Sequence, residues 1–225
     1  MTTTTKRQID SASGAAAVLL LTSALLLPGQ PPRAEDSVER LTMLLVDRRM
    51  AFLAGSYIAG LGAVAYFWFL GAVRDCLSRG APGERGTAAF AGALFGITAL
   101  LLGMAMFDGV AFAAARTGAP GVVRAFTDMG NTTIEMSKFG FAAFLLGVSR
   151  SRTARGLLPP WLVRLGVLSA ALLLLSAVAL FRDRGLFQFG GVVDLGGTIP
   201  ALVWIAVLSV VMARRPMPAA RDGGR

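Results

Sequence analysis

Apolar residues in this chain gather into long runs separated by short polar stretches. The runs show neither the strict alternation of half-buried strands nor the narrow stripe of a soluble amphipathic helix. They fall at about 13–28, 50–73, 87–115, 126–149, 162–181 and 189–213, and most approach or exceed the roughly 20 residues that a helix needs to cross a hydrocarbon core. The pattern predicts an all-α, polytopic membrane helical bundle of about six transmembrane helices over residues 13–213. A tail at 1–12 precedes it and another at 214–225 follows, the latter expected to be disordered.

The polar stretches sharpen the boundaries. Lys6 and Arg7 precede the first run and Pro28 to Pro32 break the chain behind it. A short apolar run after a charged start also describes a cleavable signal peptide, but Pro31-Pro32-Arg33-Ala34 lacks a small residue three positions before a plausible cut, so a retained helix is expected. In 34–49, Asp36 and Glu39 have capping-box spacing, and Val38, Leu41, Leu44 and Leu45 share one helical face. This segment reads either as an amphipathic helix lying at the outer interface or as a polar extension of the next span. The second run ends in the interfacial-type cluster Tyr66-Phe67-Trp68-Phe69, and the third carries Gly92-x-x-x-Gly96, a spacing that lets helices approach closely. Pro159-Pro160-Trp161 opens the fifth, where proline suits a first helical turn. Gly196, Gly197 and Pro200 weaken the start of the sixth.

Composition agrees with this reading and narrows the chemistry. Only 16% of residues are charged against 55% hydrophobic, well below the roughly 25% charged of soluble domains. The formal charge of +9 would raise nucleic-acid binding in a soluble protein. Here the Arg residues stand at the ends of apolar runs, no basic stripe interleaves with aromatics, and no nucleic-acid partner is expected. Lys6, Arg7, Arg74, Arg79, Arg85, Arg150, Arg152, Arg155, Arg214, Arg215, Arg221 and Arg225 fall on one side of the expected spans, against Arg33, Arg40, Arg48, Arg49, Arg116, Arg124, Arg182 and Arg184 on the other, where Glu35, Asp36, Glu39 and Asp47 also crowd. Positive residues favour the cytoplasmic side, so both termini are expected there, in a bacterial plasma membrane. With no His and a single cysteine, Cys76, an intrachain disulfide, a zinc site and His-ligated haem are excluded. No cofactor, metal or catalytic residue is expected, and the absence of His removes the commonest general base.

Six polar residues inside the expected spans are the candidates for an ion- or substrate-binding site: Asp108, Asp128, Asn131, Glu135, Lys138 and Asp194. Ionisable groups facing lipid near the bilayer centre cost at least about 2.5 to 3.5 kcal/mol, so such groups turn to the protein interior. Asp128, Asn131, Glu135 and Lys138 form one stripe of the fourth span, with Glu135 and Lys138 spaced for an ion pair. That pair reads either as simple neutralisation or as part of a functional cluster. Asp108 is expected to pair with Lys138 across helices or to stay protonated. Depth counting places Glu135 and Lys138 nearer the midplane than Asp194, and the set outlines a polar pocket open to the outside.

The stretch Tyr66-Phe67-Trp68-Phe69-Leu70-Gly71-Ala72-Val73-Arg74, with the six-span layout and the Arg/Ala-rich composition, resembles small multi-spanning membrane proteins of high-GC actinobacteria that have no assigned activity. The resemblance covers roughly the second to sixth runs and implies a bacterial membrane protein with no functional residue to carry over. Besides a membrane enzyme that acts on lipid-linked substrates with an acidic residue such as Asp108 or Glu135 as base, two functions fit the residues. One is a small proton- or ion-coupled transporter using the acidic/Lys cluster. The other is a non-catalytic membrane subunit or regulator whose small-residue faces bind another membrane protein or a second copy. Lipid is a partner in either case.

Overall fold

The computed structural model describes residues 3–29, 32, 35–78, 84–151, 158–181, 186 and 191–214. Several of the Arg residues that set the expected orientation, among them Arg79, Arg152, Arg155 and Arg215, lie outside the described residues, as does the tail from 215 onward. The described residues form α1 (Thr3–Leu26), α2 (Val38–Asp47), α3 (Arg49–Ser78), α4 (Glu84–Thr117), α5 (Pro120–Arg150), α6 (Pro160–Ser176) with a 3-10 turn at Ala177–Phe181, and α7 (Val192–Arg214).

Among the described residues, four helical stretches are long and apolar enough to cross a membrane: Arg49–Leu77, Gly86–Ala114, Pro160–Phe181 and Val192–Arg214. The fold is that of a helical membrane protein. The two remaining expected spans differ in instructive ways. In α1 the apolar part is only Ala12–Leu26, the second half of a helix that already begins at Thr3. In α5 the polar stripe interrupts the apolar run, because the helix is selected for what it faces inside and not for uniform hydropathy.

Six helices close a ring. Helix α1 packs between α3 and α7, α3 meets α4, α4 meets α5, α5 meets α6, and α6 meets α7. The middle of the ring is filled by aromatic rings from three of them. Tyr66 of α3 packs edge-on against Phe141 and Phe144 of α5, with centroids 6.1 and 6.2 Å apart, and Phe144 meets Trp204 of α7 at 6.0 Å. These T-shaped contacts are the favoured geometry for aromatic pairs. Trp204 also donates from Nε1 to the Leu162 carbonyl of α6 at 2.8 Å, so one side chain ties three helices together. Phe144 belongs to this core, whereas Phe139 on the same helix is 41% exposed and faces outward.

The tightest packing is between α4 and α5. A Cβ on Gly140 would lie 2.5 Å from Gly96 N and 2.6 Å from Gly92 O, and one on Gly92 would lie 2.8 Å from Gly140 O. About two turns further along α4 and nearly three back along α5, a Cβ on Gly103 would meet Gly130 O at 2.9 Å. The Gly92-x-x-x-Gly96 spacing is therefore spent inside the chain, on backbone-to-backbone contact that only glycine permits.

Helix α2 is separate from α3 and not a continuous extension of it. Leu41 and Leu45 are fully buried against Phe52, Phe107, Val110, Ala114 and Val123, at the end of the ring where α3 begins and α4 ends. Its N-cap is Ser37, whose Oγ accepts from the Arg40 amide at 3.3 Å, in place of the expected Asp36. Asp36 instead pairs with Arg40 at 3.3 Å. Arg48, the C-cap, turns back and donates to the Pro28 carbonyl, so the entry and exit of this connection are tied together. Exposed Glu39, in the first turn, is held below the usual carboxylate range by hydrogen bonds from its own backbone N–H and from Ser37. That contribution is present at neutral pH and is lost as pH falls through the lowered value. Ser37→Ala is expected to cost α2 about 1 kcal/mol. Amide exchange should accelerate in Val38–Leu41 and stay unchanged in α4 and α5.

Candidate functional site

Helix α5 starts with Pro120 in its first turn, behind Ala119, and its long axis carries two different faces. Gly130, Ser137 and Gly140 face α4, while Asn131, Glu135 and Lys138 turn toward the interior and are buried. Helix α7 brings Asp194 in its first turn. It can approach because Gly197, one turn on, packs against Leu172 O and Ser176 of α6 at distances no side chain would allow.

The result is an ionic triad. Lys138 Nζ donates to both oxygens of Glu135, at 2.7 and 2.6 Å, and to Asp194 Oδ1 at 2.5 Å. The three residues are 5%, 2% and 7% exposed respectively, so an ammonium and two carboxyls share a site from which water is nearly excluded. All three ammonium protons are engaged, and both Glu135 oxygens rest on the same nitrogen. Desolvating charges is expensive, and such a cluster persists only where geometry and hydrogen bonds offset that cost. The intrahelical pair expected from the i, i+3 spacing is present, and it is not a closed pair, because Asp194 competes for the same ammonium.

The remaining candidates separate from the triad. Asp128 pairs with Arg124 on the surface of α5 at 2.9 Å, with both side chains well exposed. Arg124 also donates to the Asp36 carbonyl, which docks the α2 approach onto α5. The i, i+4 spacing of Arg124 and Asp128 was readable in sequence. Asn131, one turn from Glu135 toward α2, donates from Nδ2 to the Pro32 carbonyl at 3.3 Å, and its buried Oδ1 has no partner among the described residues. Asp108 does not reach Lys138. It faces α3, where Ser56 is its hydrogen-bond partner, and its buried Oδ1 has no partner among the described residues. The reason is rotational: α4 presents its glycines to α5, which turns Asp108 toward α3.

Lys138, near the middle of α5, sits opposite the first turn of α7. Burial of all three side chains also replaces the expected pocket open to the outside with a closed cluster. Tyr66, expected in an interfacial cluster, is instead buried in the core, and Ser149 and Ser169 had no assigned role; the buried oxygens of all three lack partners among the described residues. Their signal was weak, since a lone hydroxyl in an apolar run is common in membrane helices. Comparison with protein-family models, with curated proteins and with solved structures finds no match to this chain.

Proposed function

We propose that the chain is a six-span protein of a bacterial plasma membrane, with both termini cytoplasmic, that couples the movement of a proton to that of a small ion or solute through the Glu135–Lys138–Asp194 triad. Six spans are supported by the ring: α1 and α5 are each held between two helices that are apolar enough to cross a membrane. The orientation rests on the Arg-rich connections.

The observation that carries the reading is the sharing of one ammonium by two carboxyls on different helices. A buried carboxylate is tolerable only while its cation stays. When a proton binds either acid, Lys138 is left to the other, and the link between α5 and α7 weakens or tightens accordingly. Proton occupancy is thereby coupled to helix packing, which is the requirement for a two-state carrier. In proteoliposomes holding a pH-sensitive dye, Na+, K+, Cl− and amino acids applied in turn are expected to include a species whose gradient drives proton movement. Glu135→Gln should abolish that movement, and unchanged proton movement in Glu135→Gln would remove Glu135 from the mechanism.

A second reading is favoured by the exhaustion of Lys138's donors. In that reading the triad is a clamp that pins α5 to α7, and the protein is a subunit or regulator of another membrane protein. The α4–α5 glycine seam is already filled from within, so a partner would dock on other faces. Absence of proton movement with every species, together with a stoichiometric partner retained in mild detergent, supports this reading over the first.

A further inference from the structure

The buried face of α6 carries Leu162, Gly166, Ser169, Ala170, Leu173 and Ser176. Two hydroxyls along it have no hydrogen-bond partner among the described residues: Ser169 Oγ, and Ser149 Oγ of α5, on residues 0% and 1% exposed. Ser149 marks one end of the line, since a Cβ on Gly166 would run into its Oγ and approach Trp204 Nε1 to 2.6 Å. Ser176 marks the other, because a Cβ on Gly197 would lie 2.6 Å from its Oγ, and Gly197 is one turn from Asp194. From Gly166 to Ser176 the helix rises about 15 Å, roughly half of a hydrocarbon core of about 30 Å. The line therefore runs from the triad toward the end of the bundle where α5 stops and α6 begins.

A serine in a helix ordinarily satisfies itself on a nearby carbonyl, as Ser176 does on Leu173 O at 2.8 Å. Ser149 and Ser169 do not. Buried hydroxyls without a protein partner carry a desolvation cost, and such groups are the ones that hold ordered water in protein interiors.

We propose that this face of α6 is a proton path to the triad from the end of the bundle opposite α2, with Ser149 and Ser169 as its water-binding positions and Leu173 as its apolar barrier. This inference rests on the proton-coupled reading above. Leu173, 3% exposed, stands one turn from Ser169 and one from Ser176. Along the path each oxygen accepts one proton and releases another. The final O–H bond forms on the Asp194 carboxylate, while Lys138 keeps its three protons and its bonds to Glu135. Nothing is oxidised or reduced.

The experiment is a proton leak in proteoliposomes containing a pH-sensitive dye. Leu173→Ser is expected to raise the acidification rate at least fivefold after an external acid jump. Leu70→Ser, an equally buried leucine of α3, should stay at the wild-type rate, and Leu173→Ser combined with Asp194→Asn should return to it. A folded Leu173→Ser protein with wild-type permeability, an equal leak in Leu70→Ser, or a leak that persists in the double variant overturns the path. If Leu173→Ser does not fold, the milder Ser149→Ala/Ser169→Ala pair decides: it should slow the proton movement measured for the wild type at least fivefold, and an unchanged rate overturns the inference. Sensitivity to Glu135→Gln with none to these α6 substitutions removes the path and leaves the proton-coupled reading intact. Insensitivity to Glu135→Gln counts against that reading itself.

Discussion

Lys138→Met is expected to destabilise the folded protein by about 3–5 kcal/mol, the cost of leaving buried carboxylates without the cation they share. Glu135 would suffer most, because both of its oxygens depend on Lys138 Nζ. The midpoint of unfolding in a detergent titration is the measurement. The triple replacement Lys138→Met, Glu135→Gln and Asp194→Asn removes the charges together and should recover most of the loss, since a buried ionic cluster contributes little beyond its uncharged replacement. The triple variant also separates the two functional readings. Recovered stability with lost proton movement supports a functional triad, whereas recovered stability with a retained membrane-protein partner supports a clamp. If Lys138→Met is as stable as the wild type, the ammonium does not hold the triad as the geometry says.

Gly140→Leu is expected to abolish the fold, and even Gly140→Ala should be costly. The added carbon would sit 2.5 Å from a backbone nitrogen and 2.6 Å from a backbone oxygen of α4, and backbone of a packed helix cannot step aside as a flexible side chain does. Overpacking usually costs about 1–3 kcal/mol, and backbone contacts place Gly140→Ala at the upper end. Gly60→Ala and Gly71→Ala in α3 are the controls. Nothing lies within 4 Å of a Cβ at either, so each should stabilise its helix by about 0.5–1 kcal/mol. Equal effects at Gly140 and Gly60 would show that α4 and α5 do not meet along this seam.

The helices themselves were legible in the sequence, because a run of apolar residues long enough to cross a bilayer has few other uses. Boundaries were less so. The helical start at Thr3 has no apolar signal, and the cap of α2 was assigned one residue early because Asp36 and Ser37 are both good caps. For the site, spacing alone put Glu135 and Lys138 on one face of α5, since an i, i+3 pair needs nothing beyond helical geometry. It could not choose between Asp108 and Asp194 as the third member.

That choice belongs to the tertiary structure. Which way a helix is turned depends on its closest neighbour, and for α4 this is the backbone of α5, met through Gly92, Gly96 and Gly103. The rotation that seats those glycines carries Asp108 to α3 and leaves Lys138 to Asp194, whose approach the small Gly197 allows. The sequence by itself determined that charges would be buried and on which helices. Their partners and their closure from water were decided by how the ring of helices packs, because burial makes unpaired charge costly without specifying which opposite charge relieves it.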